Sequence, residues 1–204
     1  MSATESLLNV SNVHVAYPAR RRGGKSARAV DGVDLEIRPG EIVALVGESG
    51  CGKTTLARVI LGLQETSEGS IAFDGELLPT SASGKKAFRR RAQIVFQDPT
   101  ASLNPRHSVY EIVAEGLRIH GLGENEHQVV KNALEQCGLH PAERYMLKYP
   151  HELSGGQRQR VVIAGAMVLK PQLLVADEPV SSLDASVRGE ILALLQRLAR
   201  DENM

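Results

Sequence analysis

The chain has 204 residues, 42% of them hydrophobic and 24% charged, which suits a globular protein of one or two compact units with ample material for a core. Lys plus Arg equal Asp plus Glu at 24 each, a balance that argues against a protein coating nucleic acid or a membrane surface, because such proteins carry a basic excess. No apolar stretch approaches the roughly 20 residues that span a bilayer, and Met1 to Asn9 lacks the charged-then-apolar layout of a signal peptide, so a cytoplasmic location is expected. The only cysteines, Cys51 and Cys137, are too few and too far apart for a zinc spacing or a disulfide framework, and both are expected to be reduced thiols.

In chain order, Leu8 to Tyr17 and Val30 to Ile37 alternate apolar and polar residues, imperfectly at Ser11 and Asn12, and predict two antiparallel strands joined by a polar loop, Arg20 to Ser26. After the turn at Pro39 and Gly40, Ile42 to Val46 is continuously apolar and predicts a parallel strand buried on both faces. Lys53 to Leu63 follows, with Leu56, Val59, Ile60 and Leu63 on one helical face. Further on, Ser108 and Glu111 form a capping box for a helix carrying Ile112, Val113, Gly116 and Leu117 and ending at Gly121. Another amphipathic stretch carries Val129, Val130, Ala133, Leu134 and Cys137 and stops at Gly138, so this region is a helical insert between two α/β portions. Ser154 opens a helix with Val161, Val162, Ala164, Met167 and Val168, then comes the apolar run Leu173 to Ala176, and Asp184 to about Arg200 predicts a last amphipathic helix with Val187, Ile191, Leu194, Leu195 and Leu198.

The run Gly47, Glu48, Ser49, Gly50, Cys51, Gly52, Lys53, Thr54 lies between the predicted strand and helix. That context lets successive backbone N–H groups turn toward phosphate oxygens at a positive helix end, with Lys53 reaching the β and γ phosphates and the Thr54 hydroxyl available to Mg²⁺. The bland reading, a glycine-rich turn with a solvated lysine, does not need that flanking order. Asp177, closing a buried apolar run, fits an acid that holds Mg²⁺ through water, and Glu178 beside it fits a base that orients attacking water. A solvated Asp-Glu pair would be the default without the glycine loop.

Leu153, Ser154, Gly155, Gly156 and Gln157 form a second helix start suited to anions, and a plain Ser N-cap would explain that helix but not the company of both other motifs. With this pentapeptide the chain resembles the ATP-binding cassette (ABC) family over essentially residues 7 to 204. The resemblance implies an α/β fold: a P-loop NTPase core with an N-terminal antiparallel β subdomain at residues 6–96 and 159–204, and a helical subdomain at 97–158 that includes the signature. It implies ATP and Mg²⁺ as cofactors, with Gly47 through Thr55 holding phosphate and Tyr17 stacking on adenine. Gln97 would sense Mg²⁺ and water, so that Thr54, Gln97 and Asp177 serve the metal. Ser154, Gly155, Gly156 and Gln157 would meet the γ phosphate held by a partner subunit's glycine loop, and Ser181 to Asp184 would couple the two sites.

Finer similarity, carried by Phe96 to Pro99, Ser102 to Arg106, Tyr149 to Glu152 and Pro179 to Ala185, is to ATP-binding subunits of bacterial dipeptide or oligopeptide importers, some of which carry nickel. It implies a second, identical or similar, cassette subunit and transmembrane permease subunits, with the chain peripheral on the inner face of the cell membrane and no nucleic-acid partner. The family's switch histidine and last core strands would lie beyond Met204; His151 does not fill that role, and the chain as given is expected to leave a sheet edge or gap and to bind ATP better than it hydrolyses it. Two other classes stay open: a soluble cassette ATPase outside transport, which would need room for a coiled coil or zinc ligands, and a nucleotide-binding module with little turnover. The basic clusters Arg20 to Arg22 and Arg89 to Arg91 are read as solvated loop and helix faces.

Overall fold

The computed structural model describes residues 6–17 and 27–204. The predicted loop Arg20 to Ser26, with its cluster Arg20 to Arg22, lies outside the described residues, as does the start of the N-terminal segment. The chain divides into two compact units, Met1–Arg89 and Arg90–Met204.

In the first unit, β1 (Leu8–Tyr17) pairs antiparallel with both β2 (Ala27–Ile37) and β3 (Glu68–Phe73), and β4 (Glu76–Leu77) completes a four-stranded sheet in the order β2-β1-β3-β4. Alternation does the work expected of it: Leu8, Val10, Val13 and Val15 are buried, along with Ile71 and Phe73 on β3. The break in the alternation at Ser11 and Asn12 is a register shift between Val10 and Val13, with Asn12 at φ 46° and its N–H bonded to Asp34 Oδ1 at 2.7 Å. Helix α1 (Lys53–Ile60) buries Leu56, Ala57, Val59 and Ile60. It stops short of the predicted Leu63 because Gly62, at φ 61°, turns the chain: Gly62 N–H bonds Val59 O and Leu63 N–H bonds Arg58 O, closing the helix end. Leu63 is consequently exposed. Phe88 of α2 (Ala82–Arg91) meets Phe73 edge-on, ring centroids 5.2 Å apart.

One predicted element is absent. Ile42 to Val46 forms no ladder with any described strand, and Ile42 and Val46 are 60% and 93% exposed. A continuously apolar run becomes a doubly buried strand only when neighbours pair along its edges and helices cover its faces; the run supplies the composition, but no strand among the described residues pairs with it.

In the second unit, β5 (Ala92–Val95) and β6 (Leu173–Ala176) form a parallel pair with Val95 opposite Ala176. Around them lie α3 (Pro99–Ser102), α4 (Val109–His120), α5 (Glu126–Gln136), α6 (Glu143–Met146), α7 (Gly155–Met167) and α8 (Ala185–Asp201). The capping box at α4 is formed in both directions, Ser108 N–H to Glu111 Oε2 at 2.7 Å and Glu111 N–H to Ser108 Oγ at 3.3 Å, and Gly121 ends that helix as the spacing predicts. Val113, Val130, Leu134, Ile163, Ile191 and Leu198 are among the fully or almost fully buried residues of one continuous core. Of the cluster Arg89 to Arg91, read as a solvated helix face, Arg89 and Arg90 are exposed, whereas Arg91 is half-buried and donates to Gln172.

Candidate functional site

The glycine loop in the first unit runs into α1 with Gly52 as its N-cap, at φ 99°, and no side chain closes the first turn. A Cβ at Gly52 would lie 2.1 Å from Ala29 O on β2, so only glycine lets the loop pass that close to the strand. Lys53 curls back over its own loop: Nζ donates to Gly47 O at 2.9 Å and to Glu48 O at 2.8 Å, and lies 3.8 Å from Cys51 Sγ. These bonds gather Gly47, Glu48, Cys51 and Lys53 into one turn, with Ser49 and Gly50 exposed at its tip. Tyr17, at the end of β1, donates its hydroxyl to Gln64 Oε1 at 2.9 Å and sits 3.5 Å from Thr55 Oγ1. The Thr55 hydroxyl, the larger cause, holds its phenol below the usual tyrosine pKa. Gln64 belongs to no motif and nothing in its spacing marks it.

In the second unit, parallel pairing of Val95 with Ala176 carries the chains forward together, so that Gln97 and Glu178, each two residues further on, come side by side. Gln97 Nε2 donates to Glu178 Oε2 at 2.8 Å. Glu178 sits at φ 48°, a left-handed conformation unfavourable for a side chain with a Cβ, and is held there by Ser181, whose N–H and hydroxyl both bond Glu178 O at 3.1 Å. Ser182 Oγ reaches Gln97 O at 3.4 Å, and Asp177 N–H bonds Val95 O at 3.0 Å. Ser181 and Ser182 therefore hold the backbone carbonyls of Glu178 and Gln97, a role their sequence did not reveal. At α7, Ser154 N–H donates to Gln157 Oε1 at 3.0 Å and Gln157 N–H to Ser154 Oγ at 3.3 Å, while a Cβ at Gly156 would lie 2.8 Å from Val187 Cγ1.

The donor chemistry suits nucleotide and Mg²⁺. In the first unit the uncapped start of α1 beside an ammonium fits phosphate and the Thr54 hydroxyl is an oxygen donor that a hard cation takes, and in the second unit the Gln97 carboxamide and the Asp177 carboxylate carry donors of the same kind. Among the described residues no three His, Cys, Asp or Glu side chains gather as a protein-only metal cage, and Mg²⁺ on a nucleotide needs none, since phosphates and waters fill most of its shell.

Residues 30–181 match the family described as ABC transporter. The chain belongs to that family. It is 47% identical over 203 residues to YkfD of Bacillus subtilis (strain 168), named for oligopeptide transport ATP binding, covering 97% of this chain and 60% of YkfD. It is 45% identical over 204 residues to the glutathione import ATP-binding protein GsiA of Escherichia coli O157:H7, covering 97% of this chain and 32% of GsiA. The chain thus spans 60% or less of these relatives' length. Among solved structures, cbiO1 from Clostridium perfringens, part of the ABC transporter complex cbiONQ, superposes with a TM-score of 0.83 at 33% identity, covering 97% of this chain and 75% of that one. The dimeric post-hydrolysis cassette MJ0796, bound to ADP and Pi, gives 0.81 at 29% identity over 96% of this chain and 84% of that one. The α/β architecture with an antiparallel β portion and a parallel strand pair is that of the P-loop ABC cassette.

Proposed function

We propose that this chain is the ATP-binding and hydrolysing subunit of a membrane transporter that imports dipeptides or oligopeptides. The observation that carries the reading is the Gln97–Glu178 pair, held at the end of a parallel strand pair in a cassette that also carries a glycine loop and a signature helix. Gly47 through Thr55 would bind the phosphates, with Lys53 released from Gly47 O and Glu48 O to meet them, and Tyr17 would stack on adenine. Thr54, Gln97 and Asp177 would hold Mg²⁺, which neutralises charge on the phosphate oxygens. Glu178 would accept a proton from a water whose oxygen bonds the γ phosphorus as the bond to the bridging oxygen breaks, leaving ADP and phosphate. The hydrogen bond from Gln97 engages Glu178 Oε2 and orients the carboxylate for that task.

Ser154, Gly155, Gly156 and Gln157 would complete the site of a second cassette subunit, a reading supported by the dimeric relative. Among the described residues no helix is long and apolar enough to cross a membrane, so contact with the bilayer would run through permease subunits, with the chain on the inner face. The peptide substrate follows from relatives named for oligopeptide transport and for import of glutathione, itself a short peptide. A second reading, nucleotide binding with little turnover, is motivated by one observation: among the described residues Ile42 to Val46, which leads into the glycine loop, pairs with no strand.

The deciding experiment is Mg²⁺-dependent ATP hydrolysis by the purified chain and by Glu178→Gln. The first reading expects binding to persist in the variant while turnover falls about a hundredfold or more. Binding by both proteins with negligible turnover by either would select the second reading.

A further inference from the structure

Tyr17 is 40% exposed, and an exposed ring ordinarily samples several orientations. Here it is held at both ends. Its strand is stitched to the segment after α1 by Ala16 N–H to Ser67 Oγ at 2.9 Å and Ser67 N–H to His14 O at 2.7 Å. At the far end of the ring the hydroxyl donates to Gln64 Oε1 at 2.9 Å. Gln64 is itself set by the closed end of α1, where Leu63 N–H bonds Arg58 O at 2.9 Å. The same helix begins at the glycine loop, so one rigid element carries the phosphate cradle at its start and the bracket for Tyr17 just past its end.

We propose that Gln64 is a positioning residue for nucleotide-base recognition: by fixing the Tyr17 hydroxyl it pre-orients the ring as a stacking platform for a purine. This rests on the nucleotide reading above. Pre-orientation acts by sparing the ligand the cost of ordering the ring, so Gln64 adds selectively to affinity for a nucleotide carrying a base and not to affinity for phosphate alone.

The test measures equilibrium binding of Mg-ATP and of Mg-inorganic triphosphate to the full chain and to Gln64→Leu, Gln64→Glu, Tyr17→Phe and the double variant Tyr17→Phe/Gln64→Leu. Loss of one neutral hydrogen bond corresponds to about a three- to tenfold effect. The expected result is that Gln64→Leu and Tyr17→Phe each weaken ATP by that factor and leave inorganic triphosphate unchanged. Gln64→Glu, which keeps an acceptor oxygen, binds ATP within about twofold of the original chain, and the double variant is no weaker than either single one. ATP binding indifferent to Gln64→Leu, or equal weakening of triphosphate, overturns the positioning role while leaving the nucleotide reading intact. Absence of ATP binding by the unaltered chain overturns both.

Discussion

At the start of α1 the N-cap is a glycine and no side chain closes the first turn, whereas at the start of α7 Ser154 and Gln157 bond each other's backbone N–H groups. Both are helix N-termini with partial positive charge. The difference lies in what satisfies the end: α7 is finished by its own side chains, while α1 has no capping side chain. Lys53 marks the same contrast, since its ammonium rests on Gly47 O and Glu48 O, carbonyls of its own loop, from which a phosphate bound as proposed would draw it away. On the proposed function, a self-capped signature helix and an uncapped glycine loop would suit a cassette in which nucleotide enters the glycine loop first and meets the signature of a second subunit afterwards.

The largest expected effect strikes the cradle. Gly52→Ala forces a Cβ against Ala29 O from a left-handed conformation and should destabilise the protein by about 2–3 kcal/mol, read by urea or thermal unfolding. Stability unchanged within about 0.5 kcal/mol would show that loop and strand do not approach so closely. Next comes the self-capped helix: Ser154→Ala should cost about 1 kcal/mol and Ser154→Gly only a few tenths, because glycine is tolerated at an N-cap. Equal stability of the Ala variant would remove the contrast between the two helix starts. Smallest in energy is a labelling ratio. Cys137 is buried, and that burial pushes its thiol up to about 12, whereas Cys51 is exposed on the loop; a maleimide should mark Cys51 alone in the folded protein, and ATP should slow it. ATP that binds without protecting Cys51 would mean the loop is not the phosphate site.

Local signals were legible where local chemistry decides the structure. The capping box of α4 formed as its Ser-to-Glu spacing requires, α7 begins at the predicted Ser154, and β1 runs over the predicted residues down to its irregularity at Asn12. The motifs that pointed to the ABC family were equally readable, since each is a short contiguous run. What the residues did not disclose depends on partners distant in the chain. Ile42 to Val46 has the composition of a buried strand, but pairing is a property of two segments and no described strand supplies the second. The strands β3, β4 and β5 are short, and their role became clear only once β1 and β6 were placed beside them. Gln64 and Ser182 contribute through single hydrogen bonds across 47 and 85 positions of sequence, which no periodicity encodes.

The most direct test of the account is a side-by-side titration of Lys53→Ala and Ser154→Arg with Mg-ATP, read as binding and as ATP-dependent association of two chains. Lys53→Ala should weaken ATP binding about a hundredfold, through loss of a charge-assisted contact to phosphate, whereas Ser154→Arg should bind ATP normally but no longer pair. Equal loss of ATP binding in both variants would contradict the division of labour between the two helix starts.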